Sequence, residues 1–143
     1  MNARPSPARS TSAITEVPPA SSDRALQHFA TGLEFETDCW DVHDAIQNGK
    51  ADFVALDVRS PALYAKGHVP GAINLPHGKI IEGTLRHFPA DTVFVTYCAG
   101  PHCNGAQRGA IRLARLGRPV KLMIGGVTGW LDEGFSLETS PAG

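Results

Sequence analysis

Three predominantly apolar runs constrain the fold of this chain most strongly. They read DFVALDV at residues 52–58, TVFVTY at residues 92–97 and VKLMIGG at residues 120–126. A strand that is apolar along its whole length is typical of a parallel sheet covered on both faces. Each run is followed by a helical pattern, so the sequence predicts an α/β domain with a mostly parallel central sheet.

Apolar spacing and capping residues predict the elements between these strands. One helix begins at Ser22 and is expected to end at Gly32. Another is expected to begin after a cap at Asp38 and to turn Trp40 toward the core. The same criteria predict short strands at residues 35–37 and 72–75, helical turns within residues 77–91, and helices at residues 60–67, 104–116 and 127–134.

The N-terminal segment differs in composition from the rest of the chain. Residues 1–21 are mainly Pro, Ser, Ala and Thr, with too few large apolar groups to offset the conformational entropy lost on folding. We predict a flexible tail over residues 1–21 and a single domain over residues 22–143. A length of 143 residues with 42% hydrophobic composition suits one core of ordinary depth.

Charge and hydropathy exclude several classes of partner. The formal net charge is -1, from 13 basic and 14 acidic residues, so we expect neither nucleic acid nor an anionic membrane as a partner. No apolar stretch approaches the roughly 18 residues that span a bilayer, and the N-terminus lacks the apolar segment of a secretory signal. We therefore expect a cytoplasmic protein, in which three cysteines, an odd number, would remain thiols.

Cys98 follows the second apolar run directly, at the carboxyl end of a predicted strand. Ligand and catalytic sites of parallel sheets form beyond these strand ends. A thiolate is the reactive form of cysteine, and positive potential at a helix N-terminus lowers the thiol pKa. We predict that amides of the following loop form an anion-binding cradle at the start of helix 104–116. The loop residues are Ala99, Gly100, Pro101, His102, Cys103, Asn104 and Gly105.

Four interpretations of Cys98 remain open on these residues alone. It is a catalytic nucleophile, one half of a redox pair with Cys103, a metal ligand together with His102 and Cys103, or an inert buried cysteine. A metal site would need a further ligand, and Cys39 is remote in sequence. We therefore expect no metal and no cofactor.

Four short segments occur in a fixed order along the chain. They are LDVRS with Asp57 and Arg59, GHVPGAINLP at residues 67–76, YC at residues 97–98, and GGVTGW at residues 125–130. In this combination, over residues 34–137, the chain resembles the rhodanese domain in its single-domain sulfurtransferase form.

The resemblance implies a five-stranded parallel sheet and persulfide chemistry. Thiosulfate or a related donor would pass its outer sulfur to Cys98, and a thiophilic acceptor, such as cyanide, a thiol or a protein, would remove it. Asp57 and Arg59 would support the loop as a structural ion pair. His68 is expected to tie the GHVPG turn to neighbouring backbone rather than to transfer a proton.

The loop departs from the family pattern in its charge. Many family members carry a basic residue five positions after the cysteine, where this chain has Cys103, and residues 99–104 contain no Arg or Lys. Thiosulfate is therefore expected to be a weak donor, and a small-thiol or protein persulfide is the alternative. Phosphatase or arsenate reductase activity is not expected, because their C-x5-R pattern would need Arg at Asn104.

Two other functions stay open. The domain could be a non-enzymatic module that senses sulfur or binds a partner, because a fold does not fix a function. It could also be a thiol redox protein that uses Cys98 and Cys103.

Overall fold

A five-stranded parallel sheet forms the framework of residues 33–143. The structure, a computed structural model, describes residues 11–140. The strand order is β1-β5-β4-β2-β3, and neighbouring strands are parallel throughout, which confirms the predicted α/β fold. The strands are Glu36–Thr37 (β1), Val54–Asp57 (β2), Ile73–Asn74 (β3), Phe94–Tyr97 (β4) and Val120–Met123 (β5).

The three apolar runs form the middle of the sheet, in the order β5-β4-β2. Strand β4 is therefore paired on both sides, with Tyr97 opposite Asp57 on β2 and Thr96 opposite Leu122 on β5. All four residues of β4 are buried. A strand in this position must be apolar on both faces, which explains its continuous pattern.

Helices connect the strands, and two of them begin at a side chain that caps the first turn. The Asp38 carboxylate accepts a hydrogen bond from the Asp41 amide at 2.8 Å, and the Ser60 hydroxyl accepts one from the Leu63 amide at 3.3 Å. No helix within residues 11–140 is long and apolar enough to cross a membrane. The α-helices are Ala13–Glu16 (α1), Ser22–Phe35 (α2), Cys39–Gln47 (α3), Pro61–Lys66 (α4), Glu82–Leu85 (α5), Gly105–Arg115 (α6) and Gly126–Asp132 (α7), with a 3-10 turn at His77–Lys79.

The N-terminal elements differ from the sequence prediction in two places. Helix α2 does not end at Gly32 but continues to Phe35. A glycine ends a helix when it adopts a left-handed conformation, and Gly32 is not among the positive-φ glycines. Within the predicted tail, the short helix α1 was not anticipated, and residues 1–10 lie outside the described part. Within the described residues, 11–32 and 33–140 form two separate compact units, and the tail boundary at residue 21 stays a prediction.

Two apolar clusters cover the two faces of the sheet. Alternation along β4 sends Tyr97 to one face and Cys98 to the other. The first cluster contains Cys39, Val42, Ala55, Val69, Ala72, Val95, Tyr97, Met123 and Trp130, and includes residues of α3 and α7. The second contains Leu56, Val58, Ile80, Leu85, Phe94, Cys98, Ala106 and Leu113, and includes residues of α5 and α6.

The prediction that Trp40 faces the core is wrong. Its side chain is 57% exposed, whereas Cys39 and Val42 on the same helix are 5% and 3% exposed. These two smaller residues occupy the buried face of α3 and belong to the same apolar cluster as Trp130, which is fully buried.

Helix α6 lies unusually close to the sheet because of Gly109. A Cβ atom at this position would lie 2.9 Å from Val58 Cγ1 and 3.3 Å from Ile80 Cδ1. One turn earlier, the Thr96 hydroxyl donates to the Ala106 carbonyl at 2.9 Å. Together these contacts hold the first turns of α6 against β2 and β4, beside Cys98.

We predict that Gly109→Ala lowers the free energy of unfolding by about 1–3 kcal/mol, because the added methyl group overpacks this contact. The matched control is Gly32→Ala in α2, where no atom lies within 4 Å of the added Cβ. The control should leave stability unchanged or raise it, since alanine favours helix. Urea unfolding measures both variants. Equal stability of Gly109→Ala and the unsubstituted protein would contradict the close packing.

Candidate functional site

Cys98 lies at the carboxyl edge of the sheet, directly after the central strand β4. Its side chain is buried, with 6% of the residue exposed, and the loop from Ala99 to Asn104 leads from it into α6. The second half of this loop is exposed, including Cys103. The structure therefore brings one inner and one outer cysteine to the end of the same strand.

The first half of the loop is held by the start of α7. The Val127 amide donates to the Cys98 carbonyl at 3.0 Å, and the Thr128 amide donates to the Ala99 carbonyl at 2.9 Å. Gly126 has φ of +60°, and a Cβ there would lie 2.5 Å from the Cys98 carbonyl oxygen. The GGVTGW segment therefore needs glycine at position 126 so that α7 can approach and fix the loop.

The two loop cysteines are joined by a disulfide bond, whereas the sequence suggested thiols. The Cys103 amide donates to the Gly100 carbonyl at 3.1 Å, and this turn folds the loop back over Cys98. The two Cα atoms are 6.5 Å apart, within the usual disulfide range of about 4.4–6.8 Å. The pairing is the one considered in the redox interpretation of Cys98.

Gly105 makes room for both sulfur atoms. A Cβ atom at this position would lie 2.8 Å from Cys98 Sγ and 3.4 Å from Cys103 Sγ. Its amide donates to Cys103 Sγ at 3.4 Å, so the N-terminal end of α6 points at the outer sulfur. Two amides of the predicted cradle, those of Cys103 and Gly105, are thus engaged within the loop. Convergence of the remaining amides on an anion at Cys98 stays a prediction.

A pocket of about 390 Å³ opens beside the loop. It contains one carboxylate, Glu36, and no Lys or Arg side chain among its described lining residues. Arg108 does not line it but donates from Nε to the Asn104 side-chain oxygen at 3.1 Å. Among the described lining residues, the imidazole of His102 is therefore the one side chain that can carry a positive charge toward a doubly charged anion. Its walls come from β1, the Cys98 loop, the start of α6 and the end of β5.

Sequence reasoning missed the walls of this pocket outside the loop. Glu36 comes from β1, Gln107 from α6, and Leu122 and Ile124 from β5 or its end. Leu122 and Ile124 lie near Cys98 because β5 pairs with β4, and Glu36 follows because β1 pairs with the other edge of β5. Gln107 is near because α6 begins directly after the Cys98 loop. Each of these residues lies at the carboxyl end of a strand or near a helix start, where sites of parallel sheets form. The sequence alone did not give the strand order, so it could not show which of these ends lie beside Cys98.

Asp57 and Arg59 form a buried ion pair on the opposite face of the sheet from Cys98. Arg59 Nε and Nη2 donate to the Asp57 carboxylate at 2.9 Å and 2.6 Å, and Nη2 also donates to the Gly67 carbonyl at 2.6 Å. The Tyr97 hydroxyl donates to Asp57 Oδ2 at 2.9 Å and accepts from the Val69 amide at 3.0 Å. Burial and the charge of Asp57 raise the pKa of Tyr97, so the hydroxyl keeps its proton.

This network ties the ends of β2 and β4 to the GHVPG turn. The Asp57 side chain is fully buried and that of Arg59 is 8% exposed, so each charge depends on the other. Neither residue lines the pocket. Their support of the loop is therefore indirect, through the position of the strand that carries Cys98.

His68 makes packing and backbone contacts away from the pocket. Its ring stacks on Tyr64 with 3.8 Å between ring centroids, and Nδ1 lies 2.8 Å from the Tyr64 carbonyl oxygen. Its amide and carbonyl exchange hydrogen bonds with Glu138 at 2.8 Å. His68 therefore joins the GHVPG turn to the C-terminal segment, and it does not line the pocket.

Cys39 is the third cysteine, and it is a buried thiol. Its Sγ donates to the Ile124 and Gly126 carbonyls at 3.5 Å and 3.6 Å. Burial, together with the charges of Asp38 and Glu133, raises its pKa from 9.0 to about 11. Cys39 is thus protonated at neutral pH and serves packing. Among residues 11–140, no group of three or more His, Cys, Asp or Glu residues is arranged to hold a metal ion.

Comparison with known families and structures agrees with this geometry. A family model described as a rhodanese-like domain matches residues 40–133. The chain is 38% identical over 90 residues to an HTH-type transcriptional regulator of Mycobacterium tuberculosis, a match that covers 62% of this chain. It spans only 39% of that relative.

Solved structures share the fold. A protein from Bacillus halodurans is 38% identical with a TM-score of 0.79, covering 82% of this chain and 85% of its own. A thiosulfate sulfurtransferase from Pseudomonas aeruginosa is 23% identical with a TM-score of 0.65, covering 79% of this chain and 22% of its own. The second likeness concerns the fold alone.

We predict that Asp57→Asn lowers the free energy of unfolding by about 3–5 kcal/mol, because it leaves the Arg59 guanidinium buried without a counter-charge. Tyr97→Phe, which keeps the ion pair, is the milder comparison. It should lower the free energy of unfolding by about 1–3 kcal/mol, because the Val69 amide loses its acceptor. Thermal and urea unfolding measure both. A stability of Asp57→Asn equal to that of the unsubstituted protein would show that the ion pair is not structural.

Proposed function

Because the chain belongs to the rhodanese-like domain family, we propose that it is a sulfurtransferase that carries sulfane sulfur as a persulfide on Cys98. The observation that carries this proposal is the position of Cys98. Its sulfur lies at the end of the central strand, against the start of α6 and in the wall of a pocket. A helix N-terminus favours the thiolate, which is the nucleophile that sulfur transfer requires.

The reaction proceeds in two steps. The reduced Cys98 thiolate attacks the outer sulfur of a donor, the donor's sulfur–sulfur bond breaks, and the leaving group departs as sulfite or as a thiolate. A thiophilic acceptor, such as a thiol, cyanide or a protein cysteine, then takes the sulfur from Cys98. Because the disulfide with Cys103 blocks the nucleophile, a thiol must reduce it before the first step. The reducing cytoplasm, the compartment we propose, supplies such thiols.

The charges around the pocket favour a persulfide donor over thiosulfate. The described lining residues include the Glu36 carboxylate and no Lys or Arg, so a dianion meets no permanently cationic side chain and only one imidazole, that of His102. The persulfide of a small thiol carries its reactive sulfur with less negative charge. We therefore propose a small-thiol or protein persulfide as donor, with thiosulfate as a weak substitute.

Intact-mass spectrometry tests the proposal. The reduced protein, freed of reductant, is incubated with cysteine persulfide or with thiosulfate. We predict that Cys103→Ser gains the mass of one sulfur atom and that Cys98→Ser does not. Cysteine persulfide should react about tenfold faster than thiosulfate or more. A tenfold difference in rate corresponds to about 1.4 kcal/mol, which we attribute to the less favourable electrostatic environment of the dianion.

Cys98→Ser retains Cys39 and Cys103, so it also controls for unspecific modification of thiols. Absence of a sulfur adduct on Cys103→Ser with every donor would contradict the proposal. An equal adduct on Cys98→Ser would assign the chemistry to another cysteine.

A second candidate function is suggested by the Mycobacterium tuberculosis relative. That protein is named a transcriptional regulator, and this chain matches a part of it. A domain of this kind could report the sulfur state of Cys98 to a partner rather than turn over substrate. Sulfur loading of Cys98 without release to any thiol or cyanide acceptor would favour this sensing function.

A further inference from the structure

We propose that Cys103 is a resolving residue that attacks the Cys98 persulfide, releases hydrosulfide and closes the Cys98–Cys103 disulfide. This inference rests on the proposed persulfide chemistry of Cys98. It adds a catalytic residue and makes the second cysteine of the loop the reductant of the Cys98 persulfide. The protein would then be a persulfide reductase that draws electrons from a dithiol.

The first support is the reach of Cys103. Its sulfur is bonded to Cys98 Sγ, the inner sulfur of a persulfide at that residue. The turn between the Gly100 carbonyl and the Cys103 amide, at 3.1 Å, directs the outer cysteine back toward the strand end. The hydrogen bonds from Val127 and Thr128 hold the first half of the loop in place. A bond between the two sulfurs therefore needs no rearrangement of the strand or of α6.

The second support is the environment of the outer sulfur. The Gly105 amide donates to Cys103 Sγ at 3.4 Å, and it belongs to the first residue of an 11-residue helix. After reduction, the same amide and the helix dipole would favour the Cys103 thiolate. A Cβ at position 105 would clash with Cys98 Sγ at 2.8 Å and touch Cys103 Sγ at 3.4 Å, so glycine keeps this approach open. The loop is thus built around two sulfurs rather than one.

The step balances without an added oxidant. The Cys103 thiolate attacks Cys98 Sγ, the bond between Cys98 Sγ and the outer sulfur breaks, and the outer sulfur leaves with the electron pair as hydrosulfide. The sulfane sulfur is reduced by two electrons, and the two cysteine sulfurs are oxidised to the disulfide. A dithiol then reduces the disulfide and becomes a disulfide itself.

The difference in exposure between the two cysteines determines which sulfur of the disulfide the external dithiol attacks. Cys103 is exposed, whereas only 6% of Cys98 is exposed. An external dithiol therefore reaches Cys103 Sγ first and forms the mixed disulfide there. Cys98 leaves as a thiolate and is ready for the next donor molecule. The inner cysteine reacts with the sulfur donor in the pocket, and the outer cysteine reacts with the reductant.

A single-turnover experiment tests the inference. The reduced chain, freed of reductant, is mixed with one equivalent of cysteine persulfide while hydrosulfide and intact mass are followed. The unsubstituted protein should release about one equivalent of hydrosulfide and lose the mass of two hydrogen atoms. Cys103→Ser should instead keep the added sulfur and release hydrosulfide only after a thiol is supplied.

Cys39→Ser is the matched control, since it removes a cysteine whose Sγ contacts backbone carbonyls rather than another thiol. It should behave like the unsubstituted protein. An unsubstituted chain that keeps its added sulfur to the same extent as Cys103→Ser overturns the inference and leaves the sulfurtransferase proposal intact. A Cys103→Ser variant that never gains sulfur overturns the sulfurtransferase proposal itself.

Discussion

The pairing of β4 on both of its edges is the constraint on which the site depends. Because β4 lies between β2 and β5, Cys98 leaves the sheet at its interior rather than at an exposed edge. The same position requires apolar side chains on both faces, and it explains why the run before the cysteine is continuous. Helix α6 must return over that strand, and its close packing at Gly109 brings its first residue, Gly105, to the sulfur.

Side chains that alternate along and just after β4 place the supporting hydrogen bonds on one face of the sheet and Cys98 on the other. Tyr97 points to the face that holds the buried Asp57–Arg59 pair, and Cys98 points to the face covered by α6. Tyr97, the last residue of β4, thus fastens the strand end, and Cys98, the next residue, places its sulfur on the other face. The ion pair positions the strand end without lining the pocket, so its buried charges lie away from the Cys98 sulfur. The ionisable side chains in the described pocket wall are Glu36, His102 and the two loop cysteines, which are joined as a disulfide.

Much of the fold could be predicted from the sequence because its signals are local. Continuous apolar runs identified β2, β4 and β5, and the strand end identified Cys98. The limits of local signals explain the errors. Trp40 fits a helical apolar stripe, but Cys39 and Val42 take the buried face. Gly32 resembles a helix end, yet only its backbone conformation decides whether the helix stops.

Other features depended on distant parts of the chain and could not be read locally. The pairing of Cys98 with Cys103 follows from the turn at Gly100 and from the space at Gly105. Glu36 enters the pocket only because β1 lies beyond β5 in the sheet. The family resemblance supplied the motif order and the sheet, but the loop of this chain differs from the family pattern in both charge and cysteine content.

The most direct test of the account is a crystal structure of the Cys103→Ser variant after treatment with cysteine persulfide. The account predicts an additional sulfur atom on Cys98 Sγ, directed into the pocket and contacted by amides of the loop and of the first turn of α6. An unmodified Cys98, or a sulfur turned away from those amides, would contradict it.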